Sequence, residues 1–178
     1  MEYGCIGEKL THSFSKEIHN LLFSYEYNLF ELPRNKVGVF LEKRDFKAIN
    51  VTIPYKETVI PHLDFVSDTA KKIGAVNTIV NKDGKLYGYN TDYLGMKALL
   101  DYEGIDLCGK KVLILGSGGT CKTAYTLSCD LGASEVLRVS RKETGYLISY
   151  ETAINKHSDA EVIINTTPCG MYPNIDTT

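Results

Sequence analysis

A continuous apolar run, Val112-Leu113-Ile114-Leu115, stops at Gly116-Ser117-Gly118-Gly119, and the residues that follow place Ala124, Leu127 and Leu131 at helical spacing. Such a run suits a parallel strand covered on both faces, so the chain here can form little besides strand, tight turn and helix. Gly116 permits the turn, and Gly118 lets backbone amides approach an anion. The helix start adds N–H groups that have no intrahelical acceptor, together with the positive end of the helix dipole. In this setting Gly116, Gly118, Gly119 and Thr120 read as a loop that holds the pyrophosphate of a dinucleotide, a plain tight turn being the alternative. Cys121 stands at the third small-residue position of the G-x-G-x-x-G pattern, where it crowds the contact between helix and strand.

The next apolar strand, 135–139, ends in Ser140-Arg141-Lys142, where an NAD-selective unit carries an acid for the ribose hydroxyls. A guanidinium beside an ammonium suits a 2′-phosphate, so these residues predict NADP over NAD; solvated charges at a strand end are the alternative.

Short strands alternate with helical stretches along the whole chain, which predicts an α/β architecture with a largely parallel sheet. Strands are expected at 3–7, at 28–32, at 48–53, and as a hairpin over 75–90 that turns at Asp83-Gly84, a strong two-residue signal. Helices are expected at 15–24, where a serine can cap, at 37–42, from Pro54 onward, at 67–73, and at 91–103 before Gly104. The division is placed after 103, giving a first domain over 1–103 and a second over 104–178 with strands near 112, 136 and 163.

Apolar residues make up 43% and charged residues 24% of the chain, enough for a buried core and too ordinary for a disordered or fibrous protein. The formal charge of −2 gives no whole-chain attraction to nucleic acid or anionic lipid, so the expected partner is a small molecule. The first residues lack the basic flank and apolar stretch of a signal peptide, and no run approaches a membrane span; a cytoplasmic protein is expected. The 5 cysteines lack Cys-x-x-Cys spacing, which argues against a disulfide framework, and most are expected to be small buried residues. The 4 histidines show no His-x-x-x-His spacing, so no metal site is expected.

Polar patterns fall where strands end, the place where ligands of open α/β sheets collect: His12-Ser13-Phe14-Ser15, Asn50-Val51-Thr52 with Pro54 and Lys56, Gly74-Ala75-Val76-Asn77-Thr78, and Asn90-Thr91-Asp92. Singly, each has a structural explanation. Ser13, Ser15 or Asp92 can cap a helix, and Asn77 can satisfy a turn. Lys56 is harder to explain that way, because the first turn of the helix expected from Pro54 disfavours a cation.

Together with the Gly116 loop and Asn165-Thr166-Thr167-Pro168-Cys169-Gly170-Met171, these motifs occur in the order and approximate spacing of the shikimate dehydrogenase family, which the chain resembles over nearly its whole length. The resemblance implies an N-terminal α/β substrate-binding and catalytic lobe with a mostly parallel sheet, then an incomplete Rossmann-like NADP-binding lobe. It implies reversible NADPH-dependent reduction of 3-dehydroshikimate to shikimate, in aromatic amino-acid biosynthesis. Ser13 and Ser15 would then bind the substrate carboxylate, Thr52, Asn77 and Asp92 the ring hydroxyls, and Lys56 and Asp92 would form the catalytic pair. The pyrophosphate would fall to Gly116, Gly118 and Gly119, and the 2′-phosphate to Arg141 with Ser140 and Lys142 beside it. Thr167 and Met171 would lie near the nicotinamide. Elementary chemistry is compatible with this, since hydride delivered to a carbonyl carbon leaves negative charge on oxygen, which an ammonium stabilises and protonates.

Lys16 stands where the family commonly has proline, Ser140 where it has asparagine, and Thr120-Cys121 where it has smaller residues; none of these removes a catalytic group. The family also continues beyond the point where this chain stops, and one of its later helices supplies a glutamine to the substrate site. The strand near 163 is therefore expected to form an apolar edge, which invites a homodimer. Other readings of the same residues are a quinate or dual quinate/shikimate dehydrogenase, a methylenetetrahydrofolate-type dehydrogenase, and a non-catalytic ligand-binding module.

Overall fold

The computed structural model describes residues 2–11, 13–170 and 175–176, and the chain divides into two compact units, Met1–Thr91 and Asp92–Thr178. The division comes one helix earlier than residue 103. The helix over 92–102 packs on another helix of the second unit and gives Leu100 to that unit's core.

In the first unit β1 (Tyr3–Gly7), α1 (Ser15–Leu22), β2 (Tyr27–Glu31), α2 (Val37–Glu42), β3 (Ala48–Val51), β4 (Phe65–Val66), α3 (Asp68–Ile73), β5 (Thr78–Lys82) and β6 (Lys85–Tyr89) follow in order. They form one sheet in the order β2-β1-β3-β5-β6-β4. The pairings of β1 with β2, β1 with β3 and β4 with β6 are parallel, whereas β5 runs antiparallel to both β3 and β6. Ile6, Ile49, Val51, Ile79 and Leu86 from the strands pack with Val37 and Leu41, one turn apart on α2, and with Tyr55, Val59 and Ala70. Each such aliphatic side chain, fully buried, contributes about 1.5–3 kcal/mol. The β5–β6 hairpin turns through Asp83 and Gly84, both at positive φ (51° and 77°), as a two-residue primed turn requires. Ser67 caps α3 by accepting from the Ala70 amide at 3.3 Å.

Three expectations fail locally, for identifiable reasons. No helix opens at Pro54. The Lys56 carbonyl, which would accept from Ile60 in an α-helix, accepts instead from the Val76 amide at 2.7 Å, and the Ile60 amide turns to Glu57. Residues 53–59 are therefore a series of turns leading into the 3₁₀ segment Ile60–His62. α1 has Phe14 at its N-cap and no side-chain cap, because the Ser13 hydroxyl accepts from the Ser15 amide at 3.3 Å before the helix begins. Only Cys5 and Cys121 are buried; Cys108 and Cys169 lie in turns and Cys129 in the last turn of a helix, all three exposed.

The second unit contains α4 (Asp92–Tyr102), β7 (Lys111–Leu115), α5 (Gly119–Asp130), β8 (Glu135–Val139), α6 (Tyr150–Lys156) and β9 (Val162–Asn165). Its sheet has the order β8-β7-β9 and is parallel throughout. Val112 and Ile114 pack with Leu100, Leu107, Ala124 and Leu127, while Leu113 packs with Val139 and Ala153, so β7 is covered on both faces. At its start the Lys111 ammonium meets Glu135 at 3.1 Å and Asp159 at 2.8 Å, tying the lower ends of the sheet together. β9 is an edge, and Ile163 on it is exposed. Among the described residues no helix is long and apolar enough to cross a membrane.

Candidate active site

Because β5 runs against its neighbours, its first residue lies beside the last residues of theirs: Thr78 stands opposite Asn50 and Tyr89. The reversal gathers three polar stretches on one rim of the first sheet, Asn50 to Thr52, Asn77 to Thr78, and Asn90 to Thr91. Backbone bonds fix them, Val51 donating to the Asn77 carbonyl at 2.8 Å, Asn77 to Tyr89 at 3.0 Å and Thr52 to Ile6 at 2.9 Å.

Their side chains form a continuous relay. The Tyr27 hydroxyl donates to Asn50 Oδ1 at 2.6 Å, and Asn50 Nδ2 donates to Thr78 Oγ1 at 3.4 Å. Thr78 in turn donates to Asn77 Oδ1 at 3.0 Å, and Asn77 Nδ2 donates to Thr91 Oγ1 at 3.0 Å. Asn77 Oδ1 also accepts from the Thr91 amide at 2.9 Å, so both ends of this buried amide are oriented. Asn90 is buried and donates to the Ala75 carbonyl at 3.0 Å. Burial pushes the Tyr27 hydroxyl well above the ordinary tyrosine range, and a hydrogen bond with Ser15 opposes that shift. Ser15 therefore stands at the other end of the relay, and Ser13 beside it.

Around this rim the approach is close. A Cβ on Gly7 would come within 2.8 Å of the Thr52 methyl, so the glycine lets the end of β3 lie against β1. The bond from Val76 to the Lys56 carbonyl ties the Lys56 turn to the segment that carries Asn77. Burial pushes the Cys5 thiol up to about 11, and the positive charge of Lys56 opposes it; Cys5 pairs with Asn50 in register. The His19 ring stacks on Tyr27 with centroids 3.9 Å apart, and its Nδ1 is 2.7 Å from the Tyr25 hydroxyl. Desolvation lowers its pKa. Of the residues expected to touch substrate, Ser15, Thr52 and Asn77 are drawn to this rim, and Asp92 opens α4 directly after Thr91.

Tyr27 lies one residue before the expected strand 28–32, and the motifs by themselves give Thr78 and Thr91 no role. The alternation Tyr25, Tyr27, Leu29 was the available signal that the strand begins earlier.

In the second unit the chain passes from β7 to β8 on one side and then to β9 on the other, so the sheet changes direction at β7/β9, and the upper end of β7 is the switch point where α/β sheets bind ligands. The glycine loop is there. Gly116 has φ +124°, its amide donates to the Val139 carbonyl at 2.8 Å, and a Cβ on it would lie 2.5 Å from Thr166 Oγ1. Gly118 is the N-cap of α5, and a Cβ on it would meet nothing within 4 Å. A closed turn, an open second glycine and the first-turn amides of a twelve-residue helix fit a pyrophosphate. Cys121 is buried against Val112 and Ile114, filling the third position of the motif.

Ser140, Arg141 and Lys142 follow β8 at the same end, with Arg141 and Lys142 exposed and the Lys142 amide donating to Ser140 Oγ at 3.4 Å. Thr167 follows β9, its amide and hydroxyl both donating to Asn165 Oδ1 at 2.9 and 2.7 Å. Met171 lies outside the described residues.

A mixed α/β sheet with a polar rim, followed by a parallel βαβ unit with a glycine turn at its switch point, defines the class of two-unit α/β proteins with a Rossmann-like second unit. The model of the shikimate dehydrogenase substrate binding domain matches residues 5–79. Shikimate dehydrogenase (NADP(+)) of Clostridium beijerinckii is 44% identical over 99% of this chain and 71% of its own length, and that of Clostridium perfringens 43% identical over 98% and 70%. Among solved structures, shikimate dehydrogenase 1 from Peptoclostridium difficile superposes with a TM-score of 0.89 at 39% identity, covering 100% of this chain and 72% of that one. Shikimate 5-dehydrogenase from Thermus thermophilus, solved in complex with NADP(H) and shikimate, superposes with a TM-score of 0.85 at 28% identity over 100% and 72%. The chain belongs to the shikimate dehydrogenase family and spans about seven-tenths of the length of these relatives.

Proposed function

We propose that this chain is an NADP-dependent oxidoreductase interconverting shikimate and 3-dehydroshikimate, the first unit holding the substrate and the second the dinucleotide. The observation that carries this reading is the rim of the first sheet, where amides and hydroxyls of Asn50, Asn77, Thr78 and Thr91 are held in fixed orientation. Ring hydroxyls both donate and accept, and a rim that offers oriented groups of both kinds is matched to them.

In this reading Ser13 and Ser15 take the substrate carboxylate, and Thr52, Asn77 and Asp92 the ring hydroxyls. Gly116, Gly118, Gly119 and Thr120 hold the pyrophosphate through backbone amides, Arg141 with Ser140 and Lys142 the 2′-phosphate, and Thr167 borders the nicotinamide. The dinucleotide, when bound, supplies or takes up the hydride. In the reductive direction the Lys56 ammonium stabilises the charge that develops on the ketone oxygen and gives that oxygen its proton. Asp92, the other member of the catalytic pair, accepts a hydrogen bond from a substrate hydroxyl and orients it for the reaction. In the oxidative direction the same two groups act in reverse.

The test is NADP-coupled oxidation of shikimate followed at the nicotinamide absorbance, with quinate as the competing alcohol. Lys56→Ala is expected to lower turnover by orders of magnitude while shikimate binding stays within several-fold. Comparable turnover in that variant removes the role of Lys56. Shikimate binding without any NADP-linked oxidation by the unaltered chain reduces the protein to a ligand-binding module.

A further inference from the structure

Arg138 projects from β8 two residues before Ser140, and its guanidinium carbon lies 4.5 Å from the ring centroids of both Tyr125 on α5 and Tyr146. Tyr146 belongs to the loop over 140–149 that carries Arg141 and Lys142. The loop is closely tied down. Ser140 donates to the Ile148 carbonyl and Ile148 to the Arg138 carbonyl, each at 2.9 Å, and Thr144 and Leu147 exchange two backbone bonds of 3.1 Å. The Glu143 carboxylate accepts from the Ser149 amide at 3.1 Å and from the Thr152 hydroxyl at 3.0 Å, which anchors the loop to the start of α6. Leu147 is buried beneath it, yet the neighbouring Tyr146 is 66% exposed.

An exposed tyrosine by itself needs no explanation. This one is held against a cation, in a loop anchored on both limbs, so most of the freedom a flexible ring would lose on binding is already gone. A flat, fixed ring open to solvent is what stacking of a nucleic-acid base requires. In NADP the 2′-phosphate sits on the ribose that bears the adenine, so a loop that holds the phosphate has the purine within one sugar's length. We propose that Tyr146, braced by Arg138, which also lies over the Tyr125 ring, is the surface on which the adenine ring of the dinucleotide stacks. The assignment rests on the NADP reading above and adds an affinity-determining residue to it.

The experiment uses adenosine 2′,5′-bisphosphate, which carries the adenine and the 2′-phosphate without the nicotinamide, titrated calorimetrically into the full chain. Tyr146→Ala is expected to weaken binding about tenfold, in the range of a lost base–aromatic stack, and Tyr146→Phe to bind as the parent does. In the coupled assay the same alanine variant raises KM for NADP by a like factor and leaves kcat and KM for shikimate in place. A ring that only braces the loop is separated from one that stacks by the etheno-adenine analogue of the same bisphosphate. Its fluorescence, quenched in the parent complex, is expected to recover in the Tyr146→Ala complex. Equal affinity of parent and alanine variant, or weaker affinity with unchanged fluorescence, overturns the stacking role and leaves the NADP reading standing. No binding of the bisphosphate to the parent chain overturns both.

Discussion

At the scale of single residues, the polar relay makes Tyr27 a positioning group whose hydroxyl is separable from its packing. Its ring is buried under His19, while its oxygen orients Asn50, which in turn meets Thr78. Tyr27→Phe keeps the stack and removes one donor, leaving Asn50 Oδ1 without it. The loss of such a bond costs about 1 kcal/mol, so KM for shikimate is expected to rise about fivefold with kcat nearly unchanged, measured at saturating NADP. A fall in melting temperature with no change in KM would make the hydroxyl structural only. His19 adds a pH signature. Its folded pKa lies below the ordinary 6.5, so as pH falls below that value the unfolded chain binds a proton that the fold resists, and stability declines. Of the residues in the relay, the motifs exposed Asn50, Asn77, Thr78 and Thr91 as strand-end polar groups. Tyr27 was hidden because its partner Asn50 is twenty-three residues away and nothing local marks a tyrosine as a donor.

At the scale of elements, the two glycines of the β7–α5 turn answer differently to the same methyl group. Gly116→Ala places a side chain at φ +124° against Thr166, so the turn must shift, with a cost of about 1–3 kcal/mol and loss of NADP binding. Gly118 has ordinary φ of −83° and open space around it, so Gly118→Ala is expected to leave the melting temperature in place and to weaken NADP binding by obstructing the approach of the pyrophosphate. Calorimetric titration beside thermal unfolding of both variants separates the two effects; equal NADP affinity in Gly118→Ala would show that the loop does not approach an anion there. The strand–turn–helix here was legible because every part of it is local: an apolar run, glycines, a helical repeat. The turns at 53–59 were not, because the bond that prevents a helix comes from Val76, twenty residues on.

At the scale of the whole molecule, alternation of strands and helices was readable, but the order of strands within the first sheet was not. The insertion of β5 between β3 and β6, antiparallel to both, is set by ladder bonds between distant segments, and it is this insertion that assembles the rim. Both units carry carboxylates held below their ordinary values: Asp64 by the Leu86 amide and Arg44, Glu143 by the Ser149 amide and Thr152, and Asp159 by Lys111. A depressed folded pKa stabilises above the unfolded value, 3.8 for aspartate and 4.5 for glutamate, and that contribution vanishes as pH falls through the folded one. Acid unfolding is therefore expected in two stages: a gentle decline below pH 6.5 that His19→Asn removes, and a steeper one below about pH 4.5 that it does not. Urea denaturation across that range checks both, and an unchanged upper stage in His19→Asn would remove the histidine from the account.

The β5–β6 hairpin has one further use. Its tip at Asp83 and Gly84 lies a full strand from the rim at Thr78, about 17 Å along an extended five-residue segment. A dye, an affinity handle or a surface tether grafted at that tip reports on or immobilises the protein without reaching the polar rim.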